Sequence, residues 1–230
     1  MIYAVANLHG CYEKFKKLLK MIRFNDNDVM YILGDVVDFG EESIELVCDV
    51  SMRPNVYPIA GEHDLKAVRM LAGFDKMMKN GGTPDKKYIA EMTEWVSDGG
   101  QATLDGFRSL DADMKEGFLD YLSDMALFEE VEAGGKTYVL THSGIADFDA
   151  DVDLFDYEPE SFMQDTDVNA KYFDDKYVVM GHVPTYLIEG AERGKIYVSP
   201  SGNICIDCGA AFGEPLGCLR LDDGKEFYVE

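Results

Sequence analysis

The sequence predicts an α/β fold, on three observations. Five short β-like runs, at residues 2–6, 29–33, 56–60, 138–140 and 177–180, each break off into a segment marked by Gly, His or Asp. The first three runs are separated by stretches with helical spacing of apolar residues, so the N-terminal third reads as βαβαβ with right-handed crossovers. Beyond Ala126 the pattern shifts to strands and tight turns.

The elements follow in order. After Ile2-Tyr3-Ala4-Val5-Ala6, a helix is predicted over 11–24, because Phe15, Leu18, Leu19 and Ile22 fall at i, i+3, i+4 and i+7 and share one face. The second strand, 29–33, leads into Gly34-Asp35-Val36-Val37-Asp38-Phe39-Gly40. A helix over 42–52 and a strand over 56–60 complete the opening unit. The middle reads as helical at 65–71, 85–95, 102–107 and 114–125, broken at Asn80-Gly81-Gly82-Thr83-Pro84 and at Asp98-Gly99-Gly100. Ala133-Gly134-Gly135 marks a hairpin. Further strands are predicted over 195–198, 203–207, 218–221 and 226–229, with Asp222-Asp223-Gly224 turning between the last two. The acidic stretch 147–167 reads as an irregular loop or cap.

Hydrophobic residues make up 47% and aromatics 12% of the chain, enough for one core, and a single domain over 1–230 is expected. No apolar stretch approaches the roughly 18 residues of a membrane span, and the opening residues carry no basic segment, so a cytoplasmic protein without membrane contact is expected. Lys+Arg number 21 against 44 Asp+Glu, a net charge of -23 that repels nucleic-acid backbones and excludes them as partners. The same field opposes phosphorylated ligands unless metal ions reverse it locally. The five cysteines are expected to be reduced thiols. Cys205-Ile206-Asp207-Cys208 has a C-x-x-C form but lies in an extended run, where i and i+3 point to opposite faces, and no second Cys pair completes a zinc site.

All four histidines fall just past strand ends, in Asn7-Leu8-His9-Gly10, Gly61-Glu62-His63-Asp64, Thr141-His142-Ser143-Gly144 and Gly181-His182-Val183-Pro184. That rim is where open α/β sheets bind ligands. Asn7 and His9, two apart at the end of a strand, are expected to share a face. With Asp35, Glu62, His142 and His182 they form a mixed oxygen and nitrogen set that suits two divalent ions such as Mn, Fe or Zn, with Asp35 as the bridging candidate. A two-metal site of this kind activates a water for in-line attack on phosphorus. His63 projects differently from its neighbour Glu62 and is better placed as a general acid, with Asp38 as its orienting partner.

Taken in order, N-L-H-G, G-D-V-V-D-F-G, G-E-H-D, T-H-S-G and G-H-V-P-T resemble the motifs of the calcineurin-like metallophosphoesterases, closest to the phosphoprotein phosphatase branch with its G-D-x-H-G, G-D-x-V-D-R-G, G-N-H-E, H-[AG]-G and G-H signatures. The resemblance spans nearly the whole chain; residues 97–103 and 205–213 are also similar to bacterial members. It implies a sandwich of two mixed β-sheets flanked by helices, with metals at the strand ends. Asn7, His9 and Asp35 would then hold the first metal, and Asp35, Glu62, His142 and His182 the second. His63 would protonate the leaving oxygen and Asp38 would orient it.

Three departures stand out. Asn7 occupies the place of a family aspartate and Glu62 that of a family asparagine, a compensated swap that moves charge toward the second metal. Phe39 stands where the family carries a phosphate-binding arginine. The leading expectation is a metal-dependent phosphoesterase of serine/threonine phosphatase type, acting on a phosphorylated small molecule or a phosphoprotein. The alternatives are a dinucleoside polyphosphate hydrolase and a catalytically weakened, metal-binding regulatory protein.

Overall fold

Alternation along the first strand builds the core on two sides at once. In β1 (Ile2–Ala6), Tyr3 and Val5 face a helix-covered cluster with Phe15, Leu18 and Met30, while the small Ala4 and Ala6 face a second sheet beside Leu33, Leu140 and Val179. The computed structural model describes residues 1–81, 83–163 and 167–230. The predicted breaker at 80–84 therefore lies partly outside the described residues at Gly82, as do residues 164–166 of the acidic stretch.

The first sheet has the order β10-β9-β1-β2-β3. β1, β2 (Val29–Leu33) and β3 (Val56–Ile59) are parallel, joined through α1 (Tyr12–Ile22) and α2 (Ser43–Ser51) as predicted. β9 (Leu216–Arg220) and β10 (Lys225–Val229) add an antiparallel hairpin at the β1 edge. The second sheet runs β4-β5-β6-β8-β7 and is also mixed, with β4 (Phe128–Ala133) antiparallel to β5 (Lys136–Thr141), and β5, β6 (Lys176–Met180) and β8 (Ile204–Cys205) parallel. β7 (Tyr197–Val198) is antiparallel to β8, and both are shorter than the runs predicted at 195–198 and 203–207. The result is the expected sandwich of two mixed sheets flanked by helices.

The middle is helical, with α3 (Glu62–Asn80), α4 (Lys86–Trp95), α5 (Gln101–Ser109) and α6 (Ala112–Ser123). The first of these is much longer than the predicted 65–71. It reaches back to Glu62 because the Asp64 carboxylate accepts the Gly61 N–H at 2.9 Å and so closes the first turn. The Asp98-Gly99-Gly100 break is a single π-type turn, Val96–Gly100, with Gly99 at φ 96°, and it turns α4 into α5 beside Phe39, whose N–H donates to the Gly99 carbonyl at 2.9 Å. The acidic stretch forms two short 3-10 turns, Leu154–Asp156 and Pro159–Phe162. It docks beside His142, since Ser143 donates its backbone N–H to the Phe162 carbonyl at 3.2 Å and its Oγ–H at 2.7 Å.

Among the described residues, no helix is long and apolar enough to cross a membrane. Cys205 and Cys208 are both buried and unbonded, and burial pushes both thiols up to about 12. They remain neutral and serve as core side chains, as the extended C-x-x-C predicts.

Candidate metal centre

The parallel strands deliver their C-terminal ends to one rim, and the residues just beyond them turn sharply. Asn7 (φ 50°), His9 (42°), Asp35 (52°), Asp38 (72°), Phe39 (58°) and His182 (66°) all hold left-handed backbone conformations. Such a conformation costs a non-glycine residue about 1–3 kcal/mol, and it persists where the surroundings over-determine it. Asn7 and His9 therefore do not owe their shared direction to strand alternation, as the sequence suggested, because β1 has already ended at Ala6. They converge because two left-handed turns fold the chain back over the sheet edge, where His9 donates its backbone N–H to the Asp35 carbonyl at 2.8 Å.

The point of convergence is Asp35 Oδ2. Asn7 Nδ2 lies 3.4 Å from it, His9 Nε2 3.5 Å and His142 Nε2 3.6 Å. The other oxygen, Oδ1, accepts the His63 backbone N–H at 3.0 Å, which fixes the plane of the carboxylate. The histidine tautomers are fixed in turn. His9 Nδ1–H donates to the Val37 carbonyl at 2.9 Å, and His142 Nδ1–H donates to the Leu33 carbonyl at 3.1 Å, so both present Nε2 lone pairs to Asp35. Burial lowers the pKa of both imidazoles and keeps them neutral. Burial opposes ionisation of Asp35 as well, but the positive charge that His142, His9 and His63 carry when protonated, together with the His63 backbone N–H, outweighs it and holds the carboxyl below its ordinary value. His142 Nε2 also lies 3.2 Å from His182 Nδ1.

Neutral imidazole lone pairs aimed at a carboxylate oxygen from 3.5 and 3.6 Å form no useful hydrogen bond. They do form a cation cradle. Asp35, His142 and His182 bring donor atoms within 4.8 Å of one another, and so do Asp35, Glu62 and His63. The donor set, carboxylate with imidazole, suits a divalent transition metal. Glu62 sits on the first turn of α3 and is half exposed, its Oε1 3.8 Å from His182 Nδ1 and 3.9 Å from His63 Nε2.

His63, next along α3, is held by a different partner. Its Nδ1–H donates to Asp38 Oδ2 at 2.9 Å, leaving Nε2 turned toward the centre. Burial alone would lower its pKa. The Asp38 hydrogen bond and the charges of Asp35, Asp38 and Glu62 overcome this and lift it to about 9. All eight residues singled out in the sequence thus gather on one rim, with the His9 and His63 rings 5.1 Å apart.

Three further residues gave only weak sequence signals. Asp38 is fully buried, and its carboxylate also accepts Trp95 Nε1–H and Thr103 Oγ1–H, each at 2.7 Å. Trp95 is the single tryptophan, and Thr103 closes the Ser97-Asp98-Gly99-Gly100-Gln101-Ala102-Thr103 motif. Asp64, the last residue of G-E-H-D, accepts the backbone N–H groups of Val36 at 2.9 Å, Val37 at 3.3 Å and Gly61 at 2.9 Å, stitching the Asp35 loop to α3. Burial and the nearby Asp35 push its carboxyl up to about 7.

Close packing leaves no room for a side chain at Gly34, which has φ 75° and where a Cβ would collide with the His142 ring. Gly34→Ala is expected to cost about 2–4 kcal/mol of stability, from backbone strain and overpacking together. Urea unfolding of the metal-free protein reads this. A loss below about 0.5 kcal/mol would mean that the His142 ring is loosely held.

Comparisons with known proteins bear on the family and the fold. The family model for calcineurin-like phosphoesterases matches residues 1–206. A symmetrical bis(5'-nucleosyl)-tetraphosphatase from Buchnera aphidicola is 38% identical over 80 residues, which are 34% of this chain and 29% of that protein. Its counterpart from Chromobacterium violaceum is 34% identical over 100 residues, 41% of this chain and 36% of the relative. The matched segments thus span about a third of the length of these relatives. Among solved structures, a candidate diadenosine tetraphosphatase superposes with a TM-score of 0.66 at 17% identity, covering 99% of this chain and 92% of that one. A serine/threonine phosphatase from Saccharomyces cerevisiae superposes at 0.55 with 12% identity, covering 100% and 79%. At these identities the superpositions speak for the fold alone.

Proposed function

We propose, from the premise that this chain belongs to the calcineurin-like phosphoesterase family, that it hydrolyses the phosphate chain of a dinucleoside polyphosphate. The observation that carries the catalytic part is the His63–Asp38 pair: an imidazole held by a buried carboxylate, with its second nitrogen turned to a cluster of metal-ligating groups. A binding module has no use for such an acid, so the pair argues against a purely regulatory protein.

In this reading Asn7, His9, Asp35, Glu62, His142 and His182 would hold divalent cations of the Mn, Fe or Zn class. Bound there, such cations would supply Lewis-acid polarisation of phosphoryl oxygens and an activated nucleophile at neutral pH. The chain's own residues do the rest. Asp35 fixes its plane through the His63 N–H, so it offers one oxygen to the centre. His63 delivers its Nε2 proton to the leaving oxygen, and Asp38 holds the ring and balances the imidazolium through three hydrogen-bond donors. Gly34 and Gly61 bring the backbone close enough for the ligands to meet.

The choice of substrate rests on the tetraphosphatase relatives and on Phe39. A protein phosphatase needs to grip a single phosphate, and Phe39 replaces the arginine that would clamp it, a charge-assisted contact of about 1.5–3 kcal/mol. A polyphosphate chain offers additional oxygens to the metals and depends less on that clamp. The test is product analysis. Manganese-loaded protein is expected to convert diadenosine tetraphosphate to ADP alone, and much faster than it dephosphorylates a phosphoserine peptide. Preference for the peptide would return the serine/threonine phosphatase reading, and no turnover of any phosphoester by folded, metal-loaded protein would favour the regulatory one.

A further inference from the structure

We infer that the Phe39 ring, braced edge to face by Phe212, forms an aromatic platform at the rim of the metal centre on which the nucleobase of the substrate stacks; this rests on the dinucleotide reading above. The two rings lie 5.1 Å apart, edge to face, and Phe39 in turn lies 4.9 Å from the His9 ring and 5.1 Å from the His63 ring. Both phenylalanines stay open to solvent, Phe39 at 36% and Phe212 at 44% exposure.

Burial does not explain why Phe39 sits there. Its φ of 58° is one that a bulky side chain avoids, and it is fixed by a 2.9 Å hydrogen bond from its N–H to the Gly99 carbonyl. Gly99 is itself constrained by the ring, since a Cβ there would approach Phe39 Cδ1 to 2.8 Å. Phe212 is held as firmly. Its turn is tied to α1 by Lys14 Nζ, which donates to the carbonyls of Ala210 at 3.1 Å and Glu214 at 2.6 Å. Strain kept at an exposed ring points to a ligand rather than to packing.

The surroundings select the class of ligand. Phe39 lines a cleft of about 610 Å³ between α2 and α5, within the usual range for small-molecule sites. Ile44 and Ala102 contribute apolar wall, and Glu41, Glu45 and Asp105 contribute carboxylates. Those acids oppose a phosphate. They are suitable acceptors for the amino group of a base, whose ring is neutral and offers a π-face. A ring stacked beyond Phe39 lies roughly 10 Å from His63, taking two aromatic spacings in series. That distance suits a base separated from the scissile bond by a ribose and phosphate.

The platform is tested by binding, independently of turnover. Calorimetric titration of the manganese-loaded protein with ADP and with pyrophosphate isolates the contribution of the nucleoside. ADP is expected to bind about tenfold more tightly than pyrophosphate, the scale of one base stacked on an aromatic side chain. Phe39→Leu and Phe212→Leu are each expected to reduce that ratio by about threefold or more. Equal affinities in the wild-type protein, or a ratio that survives both substitutions, would overturn the platform. Failure of the substrate reading appears elsewhere: a protein that keeps the ADP preference but leaves diadenosine tetraphosphate intact retains the platform and loses the dinucleotide as substrate.

Discussion

Replacing His63 with alanine is expected to lower kcat for an ester with a poor leaving group by about 10²–10⁴-fold, the usual contribution of a positioned general acid. Metal content should stay at the wild-type level, because the three atoms that face Asp35 Oδ2 most closely belong to Asn7, His9 and His142. His142→Ala should instead lose metal together with activity, since its Nε2 faces both Asp35 and His182. The contrast matters because His63 Nε2 also lies within ligating range of Asp35 and Glu62. Elemental analysis of both variants separates the roles: equal metal loss in the two would make His63 a ligand. A p-nitrophenyl ester, whose leaving group needs little protonation, should feel the His63 substitution less than an alkyl ester does. The pair also leaves a signature in the metal-free protein. His63 is raised from 6.5 to about 9, so its contribution to stability is fully present below pH 6.5 and disappears as pH climbs through about 9. Chemical unfolding of wild type and His63→Ala across that window should converge at the alkaline end. A stability gap that does not change with pH would place the loss in packing instead.

The sequence makes the three parallel strands of the first sheet legible to within a residue, because each is a short β-rich run closed by Gly or by a ligand-type residue. The eight residues that the motifs single out also lie together, since motifs at successive strand ends of a parallel sheet share a rim. What the sequence misplaces is the backbone beyond those ends. Asn7 and His9 read as strand positions, yet both are left-handed, and nothing in Asn7-Leu8-His9 signals a conformation imposed by Asp35 and Gly40 from elsewhere in the chain. The N-terminal extent of α3 was hidden for a similar reason. Its first residues, Glu62 and His63, interrupt the apolar period, and the stabilising partner Asp64 looks like one more polar motif residue. Trp95 and Thr103 reach Asp38 across a gap of 57 and 65 residues, and only the fold relates those positions. The proposal of a dinucleotide rather than a phosphoprotein likewise rests on the relatives and on how Phe39 is displayed, not on the motif alone.

Asn7→Asp tests whether charge at the centre has been redistributed or merely lost. As it stands, the Asn7 amide bridges two loops: Nδ2 donates toward Asp35 Oδ2 at 3.4 Å, and Oδ1 accepts the His182 backbone N–H at 3.0 Å. An aspartate there could still accept from His182, but it would set a second carboxylate against Asp35 at hydrogen-bond distance. Two unit charges at that separation repel by about 5 kcal/mol at an effective dielectric near 20, and partial protonation relieves some of it. The metal-free variant is therefore expected to be about 2–4 kcal/mol less stable than wild type. A divalent cation between the carboxylates reverses the sign, so manganese should bind roughly 10²-fold more tightly, the same energy read through linkage. Thermal unfolding with and without manganese, together with a metal titration, reads both effects. Destabilisation of equal size in both forms would show that Asn7 is only a strut between the Asp35 and His182 loops. Opposite signs would show that its side-chain oxygen faces a metal.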